Sequence, residues 1–93
     1  MSVTDRPEES RFEATLDGQR VGFAAYTVEG GAITFTHTVV EPEFQGQGVA
    51  TRLAATALAS AQAHGLGVRP HCSYIAAYLR KHPEFAPLVT DEP

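Results

Sequence analysis

Several residue types are scarce in this chain of 93 residues, and each scarcity excludes a class of structure. Cys72 is the only cysteine, so no disulfide can form within the chain. The four histidines are scattered, and none has zinc-ligand spacing with Cys72, so we expect no metal site. The length predicts one domain that buries a modest core without cross-links.

Long apolar runs are also absent. No run approaches the roughly 20 residues that a membrane span needs. Residues 1–11 are polar and lack the apolar core of a secretion signal. The sequence therefore predicts a soluble cytoplasmic protein with no membrane partner. The net charge of −4 also argues against a nucleic-acid partner, because such binding usually needs a broad basic surface.

Carboxylates are missing from one long segment of the chain. No Asp or Glu occurs in residues 44–83, which carry three arginines and one lysine. The rest of the chain holds all eleven carboxylates against three arginines. This asymmetry predicts an electropositive face for an anionic ligand.

A strand, a glycine-containing turn and a helix follow one another inside that segment. Residues 33–40 are β-rich, Glu41 and Pro42 form a short turn, and an alanine-rich helix begins near Gly48. The first N–H groups of a helix have no internal partner, and the helix dipole places partial positive charge there. Glycines such as Gly46 and Gly48 let a phosphate approach the backbone. We therefore expect a pyrophosphate-containing ligand.

Arg52 lies in the first turn of the predicted helix. The helix dipole disfavours a cation at this end by up to about 1 kcal/mol. An anion bound between Arg52 and the helix end would reverse that effect. The alternative is that Arg52 is a solvated surface residue.

The elements predict an α+β fold, a mixed and mainly antiparallel sheet with two helices. Alternation and turn residues indicate strands at 11–16, 19–28, 32–40 and 66–72, with helices at 48–64 and 74–81. Residues 33, 35, 37 and 39 are expected to share one face of their strand. Ser73 is expected to cap the second helix. The domain is predicted to span residues 11–89, between a flexible N-terminus (1–10) and a flexible tail (90–93).

Two residues are candidates for chemistry. Cys72 directly precedes the second helix, where partial positive charge favours a thiolate, although a lone cysteine is more often a small core residue. His37 could be a base or a core histidine with one hydrogen bond. Tyr74 and Tyr78 are more typical of packing residues, but either could donate a proton to a leaving thiolate.

The pattern Gln45-x-x-Gly48-x-Ala50 resembles the acetyl-CoA signature of the GNAT acetyltransferase superfamily. Other runs look like its smallest stand-alone subfamily: His37-Thr38, Gly46-x-Gly48, Pro70-x-Cys72-Ser73-Tyr74 and His82-Pro83-Glu84. This resemblance implies a truncated GNAT fold. It also implies that the pantetheine arm of acetyl-CoA lies between splayed strands, and that Cys72 and His37 are catalytic. The residues that it assigns to coenzyme binding are Val39, Val40, Gln45, Gly46, Gln47, Gly48, Val49, Ala50, Arg52, Ser73 and Tyr78.

Acetyl transfer from acetyl-CoA to an unidentified amine, on a small molecule or a protein, is the leading functional hypothesis. In a direct route the amine attacks the thioester, and a backbone N–H of the 66–72 strand stabilises the oxyanion. In a covalent route Cys72 is acetylated first and His37 is the base. The alternatives are a non-catalytic coenzyme-binding module and a plain interaction domain. The sequence is compatible with a monomer or a weak dimer.

Overall fold

The computed structural model describes residues 1–90 and contains one five-stranded sheet, in the order β1-β2-β3-β4-β5. The strands are β1 Ser2–Arg6, β2 Arg11–Leu16, β3 Gln19–Glu29, β4 Ala32–Val40 and β5 Gly67–Pro70. The first four strands form an antiparallel meander, and β5 pairs with β4 in parallel. Helices α1 (Val49–Ala63) and α2 (Ser73–Lys81) complete the fold. Short 3₁₀ helices occupy Pro7–Glu9, Pro42–Phe44 and Pro83–Leu88.

The predicted fold class is confirmed, and its turns form where the sequence indicates. Asp17 and Gly18 both have positive φ, of 51° and 80°, as the hairpin between β2 and β3 requires. Gly30 and Gly31 turn the chain between β3 and β4 with φ values of 61° and 78°. Helix α1 then provides the crossover that a parallel β4–β5 pair needs.

Helix α1 packs on one face of the sheet through a stripe of small and aliphatic side chains. Its buried residues are Val49, Leu53, Ala54, Ala57, Leu58 and Ala61. The helix lies close to the sheet at Gly22 of β3. A Cβ atom on Gly22 would lie 2.9 Å from the Val39 carbonyl oxygen and 3.0 Å from Val49 Cγ1. Gly22 therefore sets how closely the first turn of α1 meets β3 and β4.

A β-bulge in β4 reverses the expected alternation of side chains. Ala25 pairs with His37 and Tyr26 pairs with Phe35, so Thr36 is an extra residue in β4. Phe35 is fully buried, whereas Thr36 and His37 are both exposed. The expectation that residues 33, 35, 37 and 39 share one face is therefore wrong beyond residue 35.

The N-terminal segment is also ordered differently from the expectation. Residues 1–10 were expected to be flexible, but Ser2–Arg6 forms β1 and pairs along its whole length with β2. The Tyr26 hydroxyl donates a hydrogen bond of 2.6 Å to Asp5, which ties β1 to β3. The polar composition of this segment fits an edge strand that is exposed to solvent.

Two further expectations concern the C-terminal part of the chain, namely the cap of α2 and the flexible tail. Helix α2 begins at Ser73 with Cys72 in the N-cap position, so Ser73 is not the cap. In the expected tail, the Thr90 N–H donates to the Val68 carbonyl at 2.9 Å. Residues 91–93 of that tail lie outside the described residues.

Candidate active site

A cleft of about 370 Å³ opens where the end of β4 meets the N-terminus of α1. The Gly-containing turn after β4 forms one wall, and the first turn of α2 contributes to another. The residues that line it are Thr38, Val40, Phe44, Gln45, Gly46, Gly48, Val49, Ala50, Thr51 and Tyr74. Five of these, Gln45, Gly46, Gly48, Val49 and Ala50, belong to the segment expected to bind a pyrophosphate.

The turn that forms this wall depends on two glycines with left-handed backbone conformation. Gly46 and Gly48 both have φ of 82°, a region that other residues rarely adopt. A Cβ atom on either glycine would meet nothing within 4 Å, so both face open space. The Gln45 side-chain amide donates a 3.3 Å hydrogen bond to the Val40 carbonyl and holds the turn against the end of β4. The main chain is thus exposed where an anion could approach it.

The N-terminus of α1 completes this wall and has no side-chain cap. The first helical hydrogen bond runs from the Arg52 N–H to the Gly48 carbonyl, at 3.0 Å. The N–H groups of Val49, Ala50 and Thr51 precede it and have no partner within the helix. Together with the helix dipole, these donors favour an anion at the cleft wall.

The second wall is the free edge of β4. Strand β5 pairs only with Ala32 to Phe35, and the His71 N–H then bonds back to the Arg69 carbonyl as the chain turns away. Residues 36–40 of β4 therefore have no β5 partner. An extended ligand can bind along such an edge, as an added strand does. The two strands that were expected to splay apart are β4 and β5, which separate after Phe35 and Pro70.

Cys72 and Thr38 meet on the helix side of the sheet, beside the cleft. Cys72 Sγ lies 3.4 Å from Thr38 Oγ1, and the Cys72 residue is only 5 % exposed. Nearby, the Tyr74 hydroxyl lies 2.9 Å from Thr51 Oγ1, so a hydrogen bond joins α2 to the first turn of α1. The hydroxyls of Thr38 and Thr51 and the phenol of Tyr74 therefore line the inner part of the cleft, with the buried Cys72 thiol behind Thr38.

His37 does not join this group. Its ring lies edge-on to Phe23 with 6.5 Å between centroids, and Phe23 is also covered by Arg11. Gly22, the neighbour of Phe23, faces α1, so Phe23 and His37 lie on the opposite face of the sheet. The structure therefore does not bring together the expected pair of Cys72 and His37, because the Thr36 bulge turns His37 away from the cleft.

Several other expected coenzyme-binding residues lie outside the cleft. Arg52 donates a hydrogen bond of 3.1 Å to the Met1 carbonyl. The Gln47 side chain donates to the Glu43 carbonyl at 3.3 Å, and Val39 is 41 % exposed on the His37 face. Ser73 is exposed and lines no part of this cleft, and Tyr78 lines a neighbouring cavity instead.

Three cleft residues were given no role in the sequence analysis, Thr38, Phe44 and Thr51, and Tyr74 was considered only as a packing residue or a proton donor. The i, i+4 spacing of Tyr74 and Tyr78 was a signal that one tyrosine could face a ligand. Thr51 could have been found from its place in the first helical turn. Thr38 was noticed only as part of the His37-Thr38 run, because the bulge that turns its side chain into the cleft has no marker in the sequence.

A comparison with models of known protein families identifies the family of this chain. Residues 11–88 match the model of a family described as GCN5-related N-acetyl-transferase. The chain belongs to this family. It is accordingly an N-acetyltransferase whose acceptor is not identified, and members of the family generally use acetyl-CoA as co-substrate. No curated protein matched the chain.

Solved structures show the same fold for this N-acetyltransferase. One is the NMR structure of a GCN5-like protein from Staphylococcus aureus that is described as a candidate N-acetyltransferase. The two chains are 21 % identical, with a TM-score of 0.71, over 99 % of this chain and 90 % of the other. Within residues 1–90, we found no helix long and apolar enough to cross a membrane, and no cluster of three side chains suited to a metal ion.

Proposed function

We propose that the cleft binds acetyl-CoA, with the pyrophosphate on the backbone N–H groups of the turn and of α1. The supporting observation is that two left-handed glycines and an uncapped helix N-terminus line the same wall. No carboxylate side chain lines the cleft within the described residues, so its floor does not repel a diphosphate. In this proposal the main-chain N–H groups recognise the diphosphate, and no charged side chain in the turn is needed.

The pantetheine arm then lies along the unpaired edge of β4, at residues 36–40. Its amide groups bond to the strand as those of a neighbouring strand would. This path leads from Gly46 towards Thr38, so the thioester lies beside the Thr38 and Cys72 side chains. Acetyl-CoA thereby fills the gap that opens where β5 ends at Pro70.

The geometry favours direct transfer over a covalent acetyl-cysteine. The amine nitrogen attacks the thioester carbonyl carbon, a C–N bond forms, and the C–S bond breaks to release coenzyme A as a thiolate. The Tyr74 phenol lines the cleft and is the proposed proton donor to that thiolate. The amine proton passes to solvent. A covalent route needs a base within about 3.5 Å of Cys72 or one water away, and His37 is on the other face of the sheet.

Substitution of one cleft glycine tests the proposed coenzyme site. Ala at Gly46 strains the left-handed turn and adds a methyl group to the cleft wall, so we expect acetyl-CoA affinity to fall at least about tenfold. Isothermal titration calorimetry measures that change. Gly30→Ala is the control, because Gly30 also has positive φ and open space around it but lies in the β3–β4 turn. Wild-type affinity in Gly46→Ala, or equal losses in both variants, contradicts the proposal.

A further inference from the structure

A separate cavity of about 310 Å³ lies at the opposite end of α1 from the cleft, and we call it the distal cavity. The buried residues that line it are Phe12 of β2, Tyr26 of β3, Ile33 of β4 and Ala61 of α1. It shares no lining residue with the cleft. Ala50 of the cleft and Ala61 are about 16 Å apart along the helix axis, so a ligand in one site does not fill the other.

Aromatic rings form the inner wall of the distal cavity. The Phe12 and Tyr26 rings are 5.4 Å apart between centroids, with planes inclined by 52°. Both residues are buried, so the wall is held in place by the core. Aromatic faces attract cations as well as apolar groups. An apolar cavity of this size with a few polar groups at its mouth is typical of a small-molecule site.

Asp5 places a carboxylate at the mouth of the distal cavity. It pairs with Phe12 across β1 and β2, so both side chains lie on the helix side of the sheet. Its Oδ1 atom accepts the Tyr26 hydroxyl hydrogen bond at 2.6 Å. No ion pair within residues 1–90 involves Asp5, and the neighbouring Arg6 lies on the other face, 3.6 Å from Glu13. The charge of Asp5 is therefore available to a cation from outside the chain.

The C-terminus of α1 adds partial negative charge at the same mouth. The helix ends at Ala63, and its last turn contains no basic residue. The helix dipole favours a cation at this end. His64 lines the cavity, and its Nδ1 donates a hydrogen bond of 2.8 Å to the Ser60 carbonyl. The neutral ring therefore presents Nε2 as a further acceptor.

The titration of Tyr26 reports the same negative surroundings. Burial raises the pKa of Tyr26 the most, and the hydrogen bond to Asp5 and the charges of Asp5 and Glu8 raise it further. The phenol therefore stays protonated at neutral pH and continues to donate to Asp5. No Lys or Arg of the described residues lines the cavity. An apolar interior and a negative mouth thus occur together.

We propose that the distal cavity binds a small organic ammonium ion, with its apolar body against Phe12 and Tyr26 and its ammonium group at Asp5. The N–H groups of the ligand donate charge-assisted hydrogen bonds to the carboxylate, and its charge also meets the aromatic rings and the helix C-terminus. The site does not depend on the coenzyme assignment. It gives the protein a second class of ligand, at the opposite end of the helix from the cleft.

Calorimetry without coenzyme tests the charge requirement, with three ligands of similar size as probes. At neutral pH, 2-phenylethylammonium should bind at least about tenfold more tightly than the uncharged 2-phenylethanol, because only the cation makes charge-assisted hydrogen bonds. The anion phenylacetate should bind more weakly than 2-phenylethanol, since Asp5 repels it. Equal affinities for the cation and the alcohol, or no binding of the cation, overturn the proposal.

Asp5→Asn removes the charge and keeps an oxygen that can accept the Tyr26 hydroxyl. In this variant the affinities for the cation and the alcohol should come within about threefold of each other. Asp17→Asn is the matched control, because it makes the same change at an exposed position of the β2–β3 turn that lines no part of the cavity. Asp17→Asn should keep the wild-type ratio. An unchanged ratio in Asp5→Asn, or equal losses in both variants, overturns the role of Asp5.

NMR locates the bound cation. We expect 2-phenylethylammonium to shift the ring signals of Phe12 and Tyr26 and the amides of residues 60–66. Shifts confined to residues 36–40 and 46–51 place the amine in the cleft and overturn the distal site. Because no coenzyme is present in these experiments, a failure of this proposal leaves the coenzyme assignment standing.

Discussion

At the residue scale, Glu13, on the sheet face opposite the helices, is a carboxylate that lies close to three arginines. Its carboxylate lies 2.7 Å from Arg11 Nη2, 3.6 Å from Arg6 Nε and 3.5 Å from Arg20 Nη1. Burial by itself raises the pKa of Glu13, but the hydrogen bond from Arg11 and the charges of Arg11 and Arg6 outweigh it, so the pKa is lowered. Glu13 therefore stabilises the fold through its ionised form.

Replacement of Glu13 by Gln gives a pH-dependent loss of stability. We expect a loss of about 1–3 kcal/mol at pH 7, because Gln removes charge-assisted hydrogen bonds and leaves three arginines close together. A lowered folded pKa adds stability that is complete above the unfolded value of 4.5 and is lost as the pH falls through the folded value. The difference between wild type and variant, from urea unfolding, should thus shrink below about pH 4. A constant difference down to pH 2 contradicts this account.

Cys72 is the second residue-scale test, because the direct and covalent routes predict opposite results. In the direct route Cys72→Ser keeps turnover within about fivefold of the wild-type value, and mass spectrometry finds no acetylated protein after a single turnover. His37→Ala should also keep wild-type turnover, since its ring is on the other face of the sheet. Loss of activity in Cys72→Ser, together with acetyl-Cys72 in the wild-type protein, contradicts the direct route.

At the scale of elements, strand β4 and the turn after it account for most of the site. Its pairing with β3 contains the Thr36 bulge, its pairing with β5 ends at Phe35, and its end is held by Gln45. The three features turn Thr38 towards the cleft, leave an edge free, and start α1 at the cleft wall. One extra residue in β4 thus determines which side chains face the cleft.

The same element shows what the sequence could and could not predict. The glycine pair and the change from strand to helical periodicity were sufficient to predict the turn and α1, because both are local signals. The bulge arises from the register between β3 and β4, which no local pattern encodes, so His37 was assigned to the wrong face. Strand β1 was missed because its residues are polar and mostly exposed, and its pairing with β2 is what orders it.

Close packing of α1 on the sheet gives a prediction at this scale. Gly22→Ala places a methyl group 2.9 Å from the Val39 carbonyl oxygen and 3.0 Å from Val49 Cγ1. We expect a loss of about 1–3 kcal/mol in the free energy of unfolding, as overpacking of a dense core costs. Thr27→Val, at an exposed position of the same strand, should change stability by less than about 0.5 kcal/mol. A stability of Gly22→Ala equal to that of wild type shows that α1 has room to move.

At the scale of the whole molecule, the segment without carboxylates also supplies most of the lining of the cleft and of the neighbouring cavity, on the helix side of the sheet. The carboxylate-free segment of residues 44–83 contains both helices and the turn that line these two cavities. The Glu13 carboxylate lies instead among three arginines on the opposite face of the sheet. The fold therefore places the carboxylate-free helices and the Glu13 charge cluster on opposite faces of one sheet.

The most direct test of the account is an NMR titration of the protein with acetyl-CoA, followed through backbone amide signals. We predict saturable shifts at residues 46–51, from the pyrophosphate, and at residues 36–40, from the pantetheine arm, with little change in β1 and β2. Shifts confined to other parts of the chain, or unmoved amides at residues 46–51 with acetyl-CoA in excess, would contradict the assignment of this cleft to the coenzyme.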